Sequence, residues 1–384
     1  MGAGVVMANP VPVTYNAAAS PVAGGRFVLS EFWRNLAPGW LNLTPPSSLS
    51  APYLIRAFSG FSVDPIAGKL YIFGGGHNDY WGNEVWEYDL ETRTSMSKHY
   101  EPDVGQYTTR EQIAPLIDNT NYPGAFVFPG GVLRPISRHT YGSHAWLDDV
   151  RKFLINGNST YQGPNGLWLQ DGGPYPMDAK DQWLYDPAAK TWEYLGSDYN
   201  GVSVNRLQGV NRFHRGIKEL VNVSKSGGNV LVRTWNSSTR AMTVRANIPV
   251  SNFSNVLLAN DHHSTKSYLL VIDINSANPL RTYSYDHDTG IATLMSVSGD
   301  VPTSYSNNYP SADFSTKTGL VHLMHNSTGG RRTLDPATGV WTHYNDVPAS
   351  ILSTFNNWHY DNRRGVFFLI GQGGVGLNVF AFKE

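Results

Sequence analysis

The chain has 384 residues, a net charge of −1 and charged side chains at only 15% of its positions. No block of Lys or Arg offers the phosphate-neutralising surface that nucleic-acid binding needs, so nucleic acid is excluded as a partner, and no run approaches the roughly 20 apolar residues of a membrane span. With no cysteine, disulfides, thiolate metal sites and thiol nucleophiles drop out together.

Gly, Asn, Ser, Thr, Tyr and Trp are abundant, an inventory of strands and turns rather than helices. Residues 1–36 hold Pro10, Pro12 and Pro21, and their first basic residue is Arg26. A secretory signal carries its positive charge ahead of an apolar core, so this stretch does not read as one. It reads as an N-terminal arm that docks on a neighbouring subunit. Residues 37–44, APGWLNLT, form a candidate strand, and TPPSSLSAP at 44–52 is a proline-rich connector.

The stretch 70–90, LYIFGGGHNDYWGNEVWEYDL, shows two alternating apolar runs joined by a glycine-punctuated polar loop, which predicts two strands of one sheet. A turn signature then recurs: YDLETRT at 88–94, YDPAAKTW at 185–192, WNSSTRAM at 235–242, YDHDTGI at 285–291 and LDPATGVW at 334–341. Asp186, Asn236, Asp286 and Asp335 stand about 50 residues apart, the period of a four-stranded repeat. An Asx side chain suits such a hairpin because it accepts hydrogen bonds from backbone two residues on. The repeats fall at 57–100, 137–197, 210–247, 254–297, 311–345 and 356–384, with an unpatterned insert at 101–135. The last shows three strands, which leaves residues 37–44 to supply the fourth.

The strand–GGG–loop–strand–Tyr-Asp pattern resembles one blade of a kelch-type β-propeller, and the resemblance covers about residues 57–384. It implies an all-β, six-bladed kelch-like propeller at 37–384 whose N-terminal strand closes the last blade, or seven blades if the insert or the first 36 residues hide one.

In such a disc the loops joining strands two and three share a face with the segments entering strand one. That places His77, Asn78, Asp79 and Trp81, the loop at 157–181 with Trp168, the entries Arg138, His139 and Tyr141, then Arg212 and His214, Tyr309, and Trp358 with His359 on one side. Loops on a rigid scaffold commonly carry function. The Arg–His pairs also suit polar ties between blades in a protein without disulfides, and His262 and His263 fall on the opposite face. His139 and His144 lie an odd number of positions apart in one strand, so they are poor joint metal ligands. No metal and no cofactor is expected.

Galactose oxidase, a kelch-like enzyme, depends on a Cys-Tyr crosslink, which this chain lacks the cysteine to make. The GGGH loop is similar to that of the propeller polysaccharide lyases such as the ulvan lyases. That resemblance implies His77, His139 and Tyr141 as acid–base residues, with Arg138 or Arg212 facing a uronate carboxylate. An Arg fork neutralises the carboxylate, and a base poised near neutral pH takes the adjacent proton. A hydrolase would want two carboxylates flanking the bond. Two functions follow as expectations. The first is glycan recognition within an extracellular assembly, such as a phage tail or other virion component, with a polysaccharide or cell-surface glycan and neighbouring subunits as partners. The alternative is a lyase that cleaves a uronate polymer by β-elimination.

Overall fold

The computed structural model describes residues 29–45, 60–73, 83–98, 112, 114–116, 118, 120–122, 125–136, 138, 140, 142–159, 178–196, 209–250, 253–273, 280–303, 310–325, 330–348, 351, 358–371 and 378–384. The recurrent Asx turns have one shape. Asp89 Oδ1 accepts from the N–H groups of Glu91 and Thr92 at 2.7 and 3.0 Å. Asp186, Asn236 and Asp286 accept in the same way from the residues two and three positions on, and Asp335 from Ala337. The fourth residue after each Asx is left-handed: Arg93, Lys190 and Arg240 at φ 55–58°, Gly290 at 70° and Gly339 at 72°.

These turns join the third and fourth strands of four-stranded antiparallel blades. Blade one is Gly60–Asp64, Lys69–Phe73, Trp86–Asp89 and Met96–Lys98. Blade two is His144–Leu147, Lys152–Ser159, Asp178–Asp186 and Thr191–Gly196. Blade three is Gly209–His214, Glu219–Ser226, Asn229–Asn236 and Ala241–Pro249. Blade four is Asn255–Asp261, Lys266–Ile272, Leu280–Asp286 and Ile291–Leu294. Blade five is Ser311–Phe314, Val321–His325, Gly330–Asp335 and Val340–Tyr344, extended by a short parallel strand, Ser298–Gly299. Blade six is Trp358–Asp361, Val366–Gly371 and Asn378–Lys383, and Gly39–Asn42 completes it by pairing antiparallel with Asn378–Lys383.

The first strand of every blade is innermost and touches the first strand of each neighbouring blade, so the circuit closes after six. Seven blades are ruled out. The expected insert instead contributes a hairpin, Ala125–Phe128 with Val132–Pro135, whose second strand packs on the outer strand of blade two. Apolar side chains form six separate clusters, one at each interface between neighbouring blades. Strands buried on both faces must be apolar on both, and Lys266–Ile272 is buried from Ser267 onward.

The packed body begins before residue 37. A short helix, Glu31–Asn35, inserts Trp33 with no exposed surface between blades six and one. The Trp33 ring lies 5.7 Å from Phe368, and its Nε1–H donates to the Leu90 carbonyl at 2.9 Å. Residues 29–36, expected in the arm, therefore belong to the propeller, while residues 1–28 lie outside the described residues. Among the described residues no helix is long and apolar enough to cross a membrane.

Replacing Trp33 with Ala should lower stability by about 3–5 kcal/mol although it lies outside every blade. The urea midpoint at unchanged slope reads this. Gly319 (φ +75°) has open space around a built Cβ, whereas at Gly339 (φ +72°) the Ser296 carbonyl oxygen would stand 2.2 Å away. Gly319→Ala should cost about 1–2 kcal/mol for its left-handed backbone, and Gly339→Ala clearly more.

Candidate functional site at the propeller axis

Six inner strands aimed at one axis bring a few polar side chains together. Two residues before the turn that ends its strand, blade three places Arg212, blade five Asp313, blade six His359 and blade one Ser62. Arg212 reaches across the axis. Its Nη2 donates to the carbonyls of Ala312 at 2.9 Å and Trp358 at 2.8 Å. Its Nη1 contacts the His359 ring and lies 3.4 Å from Asp313 Oδ2. Backbone N–H groups of Tyr360 and Phe314 fix the Asp313 carboxylate at 2.8 and 2.9 Å. The His359 ring sits 4.6 Å from Phe61 and 5.4 Å from His144, and His144 Nδ1 shares a hydrogen with Ser62 Oγ at 2.8 Å. Blade four joins through Asn260, whose Nδ2 donates to the Arg212 carbonyl at 3.3 Å.

Burial, then the neighbouring Arg212 and His144, holds His359 well below the ordinary histidine range, so it is neutral and can accept from the guanidinium. Burial also pulls Arg212 down, opposed by the Asp313 charge. The spaces beside this knot measure about 10 and 50 Å³. They have room for water molecules but not for a sugar ring, so the described residues plug the axis at this depth.

The other expected site residues fall as follows. Arg138 is fully buried and forks onto Asp181 at 2.7 and 2.9 Å, with its Nε–H on the Ile136 carbonyl at 2.9 Å. It ties the entry of blade two to that blade's third strand. Trp358, expected on the loop face, is core: it has no exposed surface and lies parallel to Phe367 with centroids 4.5 Å apart. His214 was grouped with the strand entries. It is instead the last residue of its strand, so its ring reaches the other end of the disc, 5.7 Å from His262 and 5.3 Å from His287. His77, Asn78, Asp79, Trp81, His139, Tyr141, Trp168 and Tyr309 lie outside the described residues. Among the described residues no three His, Cys, Asp or Glu side chains gather as metal ligands.

Asp313 escaped the sequence reading, as did the roles of Asp181 as the partner of Arg138 and of His144 as a neighbour of the axis. Aligning the inner strands as FSVD, NRFH, ADFS and WHYD would have put Ser62, Arg212, Asp313 and His359 in one phase.

The class this architecture defines is the six-bladed β-propeller. No protein-family model matches the chain, and no curated protein matches it in sequence. Among solved structures it is similar to the calcium-binding protein regucalcin of Agrobacterium tumefaciens, at 13% identity over 91% of this chain and 98% of that one, with a TM-score of 0.48. It is also similar to an auxiliary nutrient-binding protein of Bacteroides thetaiotaomicron, at 12% identity over 87% and 70% with a TM-score of 0.48, and to a luciferin-regenerating enzyme, at 9% over 91% and 96% with a TM-score of 0.43. These likenesses speak to neither ligand nor activity.

The buried histidines set an acid limit. Burial lowers His214 to about 4 and His287 to about 3, and takes His262 and His359 well below the ordinary value. His214 Nε2 meets the Lys266 carbonyl at 3.0 Å while Nδ1 accepts from the Gly216 N–H at 3.1 Å, so protonation at Nδ1 breaks a bond. Below about pH 6.5 the unfolded chain takes up protons that the folded chain refuses, so stability falls as pH drops, by about 1.4 kcal/mol per pH unit for each such histidine. Urea midpoints measured between pH 7 and pH 4.5 should decline steeply, and His214→Gln should flatten that slope.

Proposed function

We propose that this protein is a glycan-recognising β-propeller that binds its ligand without cleaving it. What supports recognition over β-elimination is the state of the two arginines that a uronate clamp would need. Arg138 is forked onto Asp181 and Arg212 is held by Asp313, His359 and two carbonyls. The elimination expected from the sequence uses one of these guanidinium groups to neutralise the substrate carboxylate, and a buried arginine already paired with a carboxylate would have to abandon that partner at a cost of several kcal/mol. A binding face needs no such group. Hydroxyl, amide and aromatic side chains, abundant here, recognise neutral sugars through hydrogen bonds and stacking. Low charge and the absence of cysteine are what support a place in an extracellular assembly such as a virion tail.

The test combines a glycan array with an absorbance assay for the unsaturated product on uronate polymers. Binding with no absorbance rise is expected. A rise that disappears in Tyr141→Phe would establish the lyase instead. Arg212→Ala should lower stability by about 3–5 kcal/mol because it strands Asp313 without its partner, and at a temperature where the variant is folded its glycan binding should equal that of the parent.

A further inference from the structure

The axis opens at its other end into a cavity of about 510 Å³, a size typical of small-molecule sites. It lies where the turns after the inner strands converge. Blade three brings Arg215, blade four His263, blade five Lys317, blade six Arg363 and Arg364, and the last strand Lys383. Among the described residues that line it there is no carboxylate.

The acids nearby face away or stand behind the cations. Asp148 pairs with Arg215, and Asp361 and Glu91 hold Arg364 at 2.7 and 2.5 Å. Glu384 turns its carboxylate to His322, Ser315 and Thr318. Lys317 Nζ donates to an α-carboxyl oxygen of Glu384 at 2.5 Å, and Lys383 Nζ donates to the Trp33 carbonyl at 2.6 Å. The Trp33 carbonyl satisfies the Lys383 donor without cancelling its charge. Burial and the neighbouring Lys317 charge both push Lys383 below the ordinary lysine range, as expected where two ammonium groups share one mouth.

We propose that this mouth is a binding site for a small multivalent oxyanion, a phosphate ester or a polycarboxylate. Its charge would sit between Lys317, Lys383 and the guanidinium of Arg363, in charge-assisted hydrogen bonds. The opening is framed by turns of four successive blades, so rigid scaffold rather than a single loop fixes the geometry. The site is on the opposite side of the disc from the face assigned to the glycan, and it stands or falls independently of that reading.

Calorimetric titration with pyrophosphate and with citrate, at low and moderate salt and with glucose as the uncharged control, tests it. Saturable binding that weakens with salt is expected for at least one anion. Pyrophosphate alone points to phosphate esters as the source, citrate alone to polycarboxylates. Loss of one charge-assisted contact in Lys317→Ala should weaken binding about tenfold, and Lys317→Glu should abolish it. Lys317 is exposed, so both variants should fold, as thermal unfolding will show, and Lys190→Ala on an outer turn should bind like the parent. Failure of both anions to bind, or undiminished binding in Lys317→Glu, overturns the proposal.

Discussion

Everything in this fold depends on four residues from one end of the chain adding an edge to strands from the other. Gly39–Asn42 pairs with Asn378–Lys383, Trp40 opposite Phe382, and the seal continues where the Leu43 N–H donates to the Val379 carbonyl at 2.8 Å. Without that strand, blade six would end in an open row of backbone donors and acceptors beside blade one. The closure also reaches into blade one: the Tyr88 hydroxyl donates to the Leu43 carbonyl at 2.6 Å. Trp40 packs 5.1 Å from Phe382 and 5.7 Å from Trp358, so the same few residues finish a sheet, fill a wedge and lock a ring. Pairing across more than 300 positions of sequence comes at a high loop-closure entropy. The ring forms because six apolar interfaces are completed at once when it shuts.

Once the ring is closed, its axis is a problem of its own. Inner strands converge there, and side chains long enough to cross the gap meet partners from several blades. Arg212 answers this by touching blades five and six from blade three. A buried ion pair such as Arg212–Asp313 adds little net stability, since desolvation offsets most of the Coulomb attraction. What it adds is register: its donors fit only one rotational setting of the blades around the axis. The neutral state of His359 belongs to the same design, because a second cation beside Arg212 would have no counter-charge.

What could be read from the sequence was what local chemistry determines. An Asx residue followed by small polar residues makes its turn wherever it occurs, so blade spacing was legible from Asp186 to Asp335. Counting strands in the last repeat was enough to assign residues 37–44 to its edge. Trp33 was not legible, because a helix of five residues has no periodicity to detect and its burial depends on Phe368 and Leu90, both distant in sequence. Trp358 and His214 were misplaced for a related reason: an aromatic or histidine beside a loop signal looks available until strand phase decides which way it points. For Arg138 and Arg212 the polar tie was a reading held open beside the functional one, and the partners that realise it, Asp181 and Asp313, lie in other strands that only the fold brings near.

Charge is distributed unevenly over the turn side of the disc, and this explains how a nearly neutral chain can carry a cationic mouth. At the outer turns cations are matched: Lys69 with Glu87 and Asp89, Lys152 with Asp186 and Glu193, Arg240 with Glu193, Arg245 with Glu219. Such exposed pairs contribute little each, about 0–1 kcal/mol, yet they leave the rim without a field. At the mouth, the inner turns crowd their residues into less space, and the carboxylates there are already used: Asp361 caps the N–H groups of Arg363 and Arg364, and Asp261 caps that of His263. A carboxylate bound to its own turn backbone is held at the base of the turn, while His263 and Arg363, which follow Asp261 and Asp361, line the opening. In blades four and six the turn chemistry thus also separates the charges, acid inward and base outward, at the point where the turns of the blades come together.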